Sequence, residues 1–421
     1  MQERRASTTI PERDSNIRVK RVVLPLLLSI ALAVVTGVES VTDSHGRPAP
    51  HSATPELSAS YIALSPVSRT FDSLSLLSTG QSIALFVSVA LLVAAVISFS
   101  RSANRRPRWK RLAIALSVMI VGIAVTEAGV VFLPRPMASL IVPDADVVVI
   151  DFHSHTGASH DVRKSFTADR NREWHRSGGF DIAYVSDHVT FDGVVSAQAG
   201  NPALAGNGTS LLSAVEGRYH RIMSTIMLGL TQPDTALLNR RGNLLPGILA
   251  SGRSPVTIIA LPNRNLDSLN ASVRDSLTGL SAIELIDAAP RGLSQLDREE
   301  EKIRDIAAKL RLLLVSASNN HGWGRAVAGW NLMRIPGWRT LPPDSVGRII
   351  EQQLLEGRSD AVEIVMRKRP RLHGLALAGI LPVFSYQVIG TLTLPERLTW
   401  LAWIWGITGL VFGFRRKESS A

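Results

Sequence analysis

The sequence predicts an α/β domain, a barrel or near-closed parallel sheet, set between membrane-spanning helices. Three observations predict it. Long apolar runs occupy both ends of the 421-residue chain. Between Val147 and Val315, seven short β-branched runs alternate with helix-like or polar stretches, the pattern of βα units. Most of those runs stop at a residue able to bind a metal, and the first reads Val147-Val-Val-Ile-Asp151-Phe-His153-Ser-His155-Thr156.

The apolar runs Val22 to Val38, Ile83 to Phe99 and Leu112 to Leu133 carry few or no charges over a length near the roughly 17–25 residues a spanning helix needs. They define a basic tail over 1–21, helices over 22–39, 82–100 and 112–134, and a basic loop over 101–111. Arg18, Lys20 and Arg21 ahead of the first run also allow a signal sequence there, but the two runs behind it keep the chain in the membrane on either reading. Residues 40–81 are rich in Ser, Thr, Pro and Ala without a clear period and read as an exposed loop with no core of its own. Near the other end, 372–392 and 398–414 form a second apolar pair, spanning or re-entrant.

The net charge of +11 suggests nucleic acid until it is divided by region. Residues 145–365 carry 23 Lys and Arg against 24 Asp and Glu, residues 1–144 carry 15 against 9, and residues 366–421 carry 8 against 2. The surplus flanks the apolar runs, in Arg101 to Arg111, Arg367 to Arg371 and Arg415 to Lys417, where it suits anionic headgroups. A phosphate-tracking protein would carry it on the folded domain, so no nucleic-acid partner is expected. Cysteine is absent, which excludes disulfides and thiolate metal sites. Basic residues before the first run and after the second belong on the cytoplasmic side, which sends the domain after the third run outside. The basic clusters around the C-terminal pair argue the opposite. Because the first helices usually dominate, an extracytoplasmic domain over 145–365 is the expectation.

Within that domain the strands are Val147 to Phe152, Asp181 to Ser186, Leu211 to Val215, Ile222 to Leu228, Val256 to Leu261, Ala282 to Ile286 and Leu312 to Ser316. Arg163 to Arg176 and Leu296 to Leu310 supply helical connections; in the second, Leu296, Ile303, Ile306, Ala307 and Leu310 keep a helical spacing. In parallel barrels chemistry collects at the C-terminal ends of the strands. Those ends carry His153 and His155, then His160 and Asp161; Ser186-Asp187-His188; Glu216 followed by His220; Leu261-Pro262-Asn263-Arg264; Glu284 to Asp287; and Ser318-Asn319-Asn320-His321. Residues i and i+2 of a strand point the same way, so His153 and His155 leave the first strand side by side, aimed at one point. A histidine and carboxylate set without sulfur suits Zn, Mn or Fe.

These residues resemble the PHP (polymerase and histidinol phosphatase) superfamily over roughly 145–325. Its opening His-x-His-Thr motif with a later His matches His153-Ser-His155-Thr156 through His160. Its Thr/Ser-Asp-His motif matches Ser186-Asp187-His188, its third-strand glutamate matches Glu216, and its closing Ser-Asp-x-His looks like Ser318-Asn319-Asn320-His321. The resemblance implies a distorted, TIM-like (β/α)7 barrel and metal-dependent phosphoester hydrolysis. It places a first metal on His153, His155 and Glu216, a second on His160, His188 and His321, and Asp187 behind them as an orienting partner. A third metal would share Glu216, with His220, Ser224 or Thr225 beside it. Two departures limit the count to one or two divalent ions: Leu261 replaces the family's histidine, and Asn319 replaces its aspartate.

Two metals would acidify a bridging water and polarise a phosphoryl oxygen of a phosphorylated small molecule or lipid-like substrate, with Arg264 and Arg325 as candidates for its non-bridging oxygens and Asp187 and His188 at the reacting centre. Trp323, Trp330 and Trp338 read mainly as core residues, with a pocket wall or the bilayer interface as alternatives. Leu261 and Asn319 favour a rival, a degenerate domain that binds metal or ligand without turnover as a membrane sensor or assembly partner. An amidohydrolase-like metal hydrolase is a third reading, weakened because none of the seven strands contains a lysine to carbamylate.

Overall fold

A computed structural model of the chain describes residues 12–99, 107–188, 190–219, 223–230, 255–260, 269, 279–288, 297–370, 372 and 376–418. Its first helix, α1 (Glu12–Val34), contains the short apolar stretch Val22–Val34. At 1.5 Å per residue that stretch reaches only about 20 Å, against about 30 Å of hydrocarbon.

Residues 40–81, expected as an exposed loop, are instead folded. They form β1 (Val41–Asp43), β2 (Thr54–Glu56), α2 (Ala59–Ala63) and α3 (Ser65–Ser75). Their polar groups are satisfied by the rest of the protein in place of water. Ser58 caps α2, its hydroxyl accepting from the Tyr61 amide at 3.1 Å. Asp72 is fully buried and accepts from the Tyr61 hydroxyl at 2.9 Å and from Arg367 Nη1 at 2.8 Å, with Arg135 Nη2 at 3.3 Å. Arg69 makes a forked pair with Glu396 at 3.0 and 2.9 Å. Composition alone could not reveal partners that lie up to 327 residues away.

The next two helices, α4 (Thr79–Phe99) and α5 (Arg108–Phe132), are long and apolar enough to cross a membrane. Beyond them β3 (Ser139–Ile141) pairs with β2, and β4 (Val147–Ser154) begins the main sheet. All eight residues of β4 are buried, as a strand covered on both faces requires. The chain then forms α6 (Ala168–Ser177), β5 (Ile182–Val185), α7 (Asp192–Ala199), β6 (Ser210–Tyr219), β7 (Met223–Leu228), β8 (Val256–Ala260), β9 (Leu280–Asp287), α8 (Asp297–Leu310), β10 (Leu313–Ala317), β11 (Gly329–Arg334), α9 (Pro343–Glu356) and β12 (Glu363–Arg367). Thr167 starts α6 by accepting from the Arg170 amide, which places the helix later than the expected Arg163.

Among the described residues, ten strands make one curled sheet in the order β1-β12-β11-β4-β5-β6-β7-β8-β9-β10. Its last strand returns toward β4. The Asn331 side chain donates to the Ile150 and Ser316 carbonyls at 3.0 and 2.7 Å and accepts from the Ser316 amide at 2.7 Å, bridging the seam. Beyond it, the Asn319 amide donates to the His153 carbonyl at 2.8 Å and the His155 amide to the Asn320 carbonyl at 3.1 Å.

The expectation of seven parallel strands needs correction. β4, β5 and β6 run parallel, as do β8, β9 and β10, but β7 is antiparallel to both neighbours. Only residues 220–222 join β6 to β7, and a parallel crossover needs a dozen or more. Three further strands, β11, β12 and β1, extend the sheet beyond β4, each antiparallel to its neighbour.

One face of the strands packs on α9, where Val346, Ile350 and Leu354 meet Val148, Ile150, Ile182, Ile226 and Ile258. Across the other side, Ile303, Ile306, Ala307 and Leu310 of α8 meet Ile283 and Leu285. Trp330 and Trp338 are fully buried core residues. The chain ends in α10 (Ala376–Gly390) and α11 (Leu394–Glu418), which bend by 113° across their break, as a broken span or a re-entrant loop does. Arg367 and Arg369, expected among residues facing lipid headgroups, are ion-paired within the protein, to Asp72 and Glu300.

Candidate metal centre

The C-terminal end of β4 delivers His153 and His155, both fully buried. His153 Nδ1 lies 2.7 Å from Glu284 Oε1 of β9. A carboxylate only accepts, so this nitrogen carries the proton when the ring is neutral and Nε2 keeps its lone pair. That lone pair faces His155 Nε2 at 2.9 Å. Glu216 reaches the same point from β6: its Oε2 is 3.3 Å from His153 Nε2, 3.3 Å from His155 Nε2 and 3.3 Å from His188 Nδ1. His188 is placed by an isolated bridge to Glu216, whose amide donates to the Ser186 and Asp187 carbonyls at 3.2 and 3.3 Å. Ser224 of β7 donates to the other Glu216 oxygen.

Further out, Asp161 Oδ2 sits 3.2 Å from His188 Nε2 and 3.4 Å from His321 Nε2. His160 is exposed at the rim with its ring 5.1 Å from that of His188. Asp187 is buried behind the cluster and clamps Thr156, accepting from its amide and its hydroxyl at 2.6 Å each. Asn319, at φ +42°, turns its Oδ1 to 3.1 Å from His155 Nε2 and donates through Nδ2 to Asp287 at 2.9 Å.

The electrostatics follow from this packing. Burial alone would lower the basicity of His153, but the charges and hydrogen bonds of Glu284 and Glu216 outweigh it and raise that basicity well above the ordinary range. Burial would likewise raise Glu216, yet His153 and His155 hold it well below the usual carboxylate range. His155 is pushed down to about 3, mainly by burial, and is neutral. Burial works against Asp161 too, but His188 and His321 bring it to about 2. Asp187 is pushed up to about 6 by burial, against the Thr156 hydrogen bonds.

This donor set fits a divalent cation. Three imidazole nitrogens crowd one buried carboxylate oxygen. His153 Nε2 and His155 Nε2 stand 2.9 Å apart and each lies 3.3 Å from Glu216 Oε2, close enough together for both imidazoles and the carboxylate to be ligands of one ion. Among the described residues three overlapping groups could hold an ion: His153, His155 and Glu216; His155, His188 and His321; and His153, Glu284 and Asp287.

Of the residues singled out in the sequence, His153, His155, His188, Glu216, Asn319 and His321 come together, with Asp187 behind them and His160 at the rim. His220, Leu261 and Arg264 lie outside the described residues. Arg325 is not among the contacts of the cluster; its charged neighbours are Arg135, Glu173 and Asp72. Glu284, Asp287 and Asp161, read among the strand-end residues in the sequence but given no role there, also belong to this neighbourhood. The sequence gives no sign of His175, a helix residue whose Nε2 lies 2.8 Å from Asp151 Oδ2 and whose Nδ1 lies 2.9 Å from the Asn171 carbonyl. Asp151 in turn accepts from the Ser318 amide at 3.0 Å and from its hydroxyl, joining β4 to the loop that carries Asn319 and His321.

No protein-family model matches this chain, and no curated protein shows significant sequence similarity to it. Among solved structures it is similar to PsfC from Pseudomonas syringae PB-5123, at a TM-score of 0.36 and 13 % identity over 57 % of this chain and 97 % of that one. It is also similar to the lesion-specific endonuclease EndoQ from Pyrococcus furiosus, at 0.37 and 16 % over 49 % and 56 %. A candidate metal-dependent phosphoesterase from Bifidobacterium adolescentis gives 0.30 and 17 % over 48 % and 95 %. Values this low leave function to the chain's own residues.

Proposed function

We propose that the chain is a membrane-anchored, metal-dependent hydrolase of the PHP type, a phosphoesterase with its domain on the extracytoplasmic side. The observation that carries the reading is the convergence of His153, His155 and His188 upon one oxygen of Glu216, each at 3.3 Å. His153, His155 and Glu216 would hold an ion, as would the overlapping group His155, His188 and His321; the groups share His155, whose single neutral lone pair serves one ion. A divalent ion there supplies Lewis acidity, lowering the pKa of water and neutralising charge on a phosphoryl oxygen. The chain's own groups do the rest. Glu284 fixes the His153 tautomer so that Nε2 presents a lone pair, Asp161 orients His188 and His321, and Asp187 holds the Thr156 turn that follows His155.

The full chain, stripped with chelator and reloaded with Zn or Mn, tests this with a generic phosphomonoester. Turnover should vanish on stripping, return on reloading, and be lost in His153→Ala and Asp187→Ala. Full activity in metal-free protein would refute it. One observation favours a second reading, metal binding without turnover: the neutral Asn319 amide is engaged with both His155 and Asp287. Stoichiometric metal with no hydrolysis would select that reading.

A further inference from the structure

The end of the sheet that carries the site is also the end that meets the apolar helices α5 and α10. β4 and β12 are both antiparallel to β11 and so run the same way. Ile150 pairs with Asn331, Gly329 pairs with Met366, and the Arg367 amide donates to the Ala328 carbonyl, which puts Arg367 level with His153 two strands away. At about 4.8 Å per strand, the two backbones are about 10 Å apart. Arg367 binds Asp72, Asp72 binds Arg135, and Arg135 Nη1 donates at 2.9 Å to the Val130 carbonyl in the last turn of α5. From β12 the chain enters the apolar helix α10.

The loop after β10 makes the junction a second time. Three residues beyond His321, the Gly324 amide donates to the Val131 carbonyl at 3.1 Å, and Trp323 packs edge-on against Phe132 at 5.5 Å. Three residues span at most about 10 Å, so His321 lies within that reach of the helix end. With Arg108 to Arg111 in one headgroup layer, Leu112 to Phe132 extends about 31 Å at 1.5 Å per residue, matching a hydrocarbon layer of about 30 Å. Trp323 and Phe132 then lie at the opposite boundary, where amphipathic aromatics concentrate, and Trp323 is 37 % exposed. Arg163 is exposed, stacks over Trp323 at 5.7 Å and donates its amide to the His321 carbonyl. The more open residues of the site, His160, Asp161 and His188, lie on this same side.

We infer that the site acts on a phosphoester carried in the bilayer, a lipid phosphate whose chains remain in the membrane while its headgroup reaches the imidazole cluster. This rests on the phosphoesterase reading above. In the step, water's oxygen bonds to phosphorus, the P–O bond to the lipid alcohol breaks, a proton from water goes to the departing alkoxide, and inorganic phosphate leaves to the aqueous phase.

The natural chain has no cysteine, so single labelling sites can be introduced into the full protein. Spin labels at Ser165→Cys, in the loop beside His321, and at Ser359→Cys, before β12 at the opposite end, would be compared in phosphatidylcholine vesicles by collision with oxygen and with a water-soluble nickel chelate. Position 165 should favour oxygen by at least threefold relative to 359; equal nickel access at both overturns the inference. Metal-loaded protein should hydrolyse 10 mol % phosphatidic acid in those vesicles at least tenfold more efficiently than p-nitrophenyl phosphate. Equal or better use of the soluble ester overturns the lipid assignment while sparing the phosphoesterase reading. Turnover of neither, with metal bound, overturns both.

Discussion

Replacing Glu216 by glutamine changes one oxygen for an amide and removes a charge that three imidazole nitrogens surround at 3.3 Å. Glu216 is 3 % exposed, so water cannot replace what is lost. Removing one partner of a buried charge pair costs about 3–5 kcal/mol. Each 1.4 kcal/mol is tenfold, so metal affinity should fall by about two to four orders of magnitude. The assay is competition with a zinc chelator of known affinity, on stripped full-length protein in detergent, with metal content measured in parallel. Ser224→Ala is the control: it removes a donor to the far oxygen of Glu216 but leaves the charge, and should cost about tenfold or less. If Glu216→Gln keeps wild-type affinity and stoichiometry, Glu216 does not hold the ion and the proposed centre is wrong.

Two further outcomes follow from groups outside that oxygen. Glu284→Gln should weaken metal binding about 10–100-fold, because the partner that fixes His153 Nδ1 loses its charge; chelator competition with wild-type affinity would contradict this. Glu351, which accepts from the Tyr184 hydroxyl at 3.3 Å, is pushed up to about 7 by burial, from an ordinary 4.5. The stability it contributes is therefore complete below pH 4.5 and is lost as pH rises through about 7. At 1.36 kcal/mol per unit the loss is at most about 3 kcal/mol, so Glu351→Gln should raise Tm at pH 8 and leave it nearly unchanged at pH 4.5. An equal shift at both pH values would refute that cause.

Much of the sheet was legible because a buried strand advertises itself. All seven β-branched runs became strands, most displaced by a residue or two and β6 running four residues further, and the C-terminal ends of the six that run parallel converge. Direction was not legible from the runs themselves, and β7 was misread although the short link to β6 already excluded a crossover. β11 escaped because Gly329-Trp-Asn-Leu-Met-Arg has no alternation: it is covered on both faces, and Asn331 sits inside it to bridge the seam. In the site, histidines followed by polar residues at strand ends were conspicuous. Glu284 was less so, a single acid within an apolar run. His175 depends on Asp151, a partner 24 residues away across a helix and a strand, and no spacing rule connects the two.

The polar contacts that hid residues 40–81 also bear on orientation. The sequence set two charge arguments against each other, with the basic loop before α5 placing the domain outside and the cluster at 367–371 placing it inside. Arg367 is paired with buried Asp72, and Arg369 with Glu300, so two of that cluster's cations are neutralised within the fold. Charges folded into ion pairs are poor topogenic signals, since the rule counts loop cations beside spans. Arg108 and Lys110, by contrast, remain exposed at the start of α5. The balance supports the extracytoplasmic placement proposed above. In intact cells, Ser359→Cys on the full chain should react with a membrane-impermeant maleimide to at least 80 % of the level seen after lysis. Labelling that appears only after lysis would put the domain in the cytoplasm and return the C-terminal cluster to its role as a topology signal.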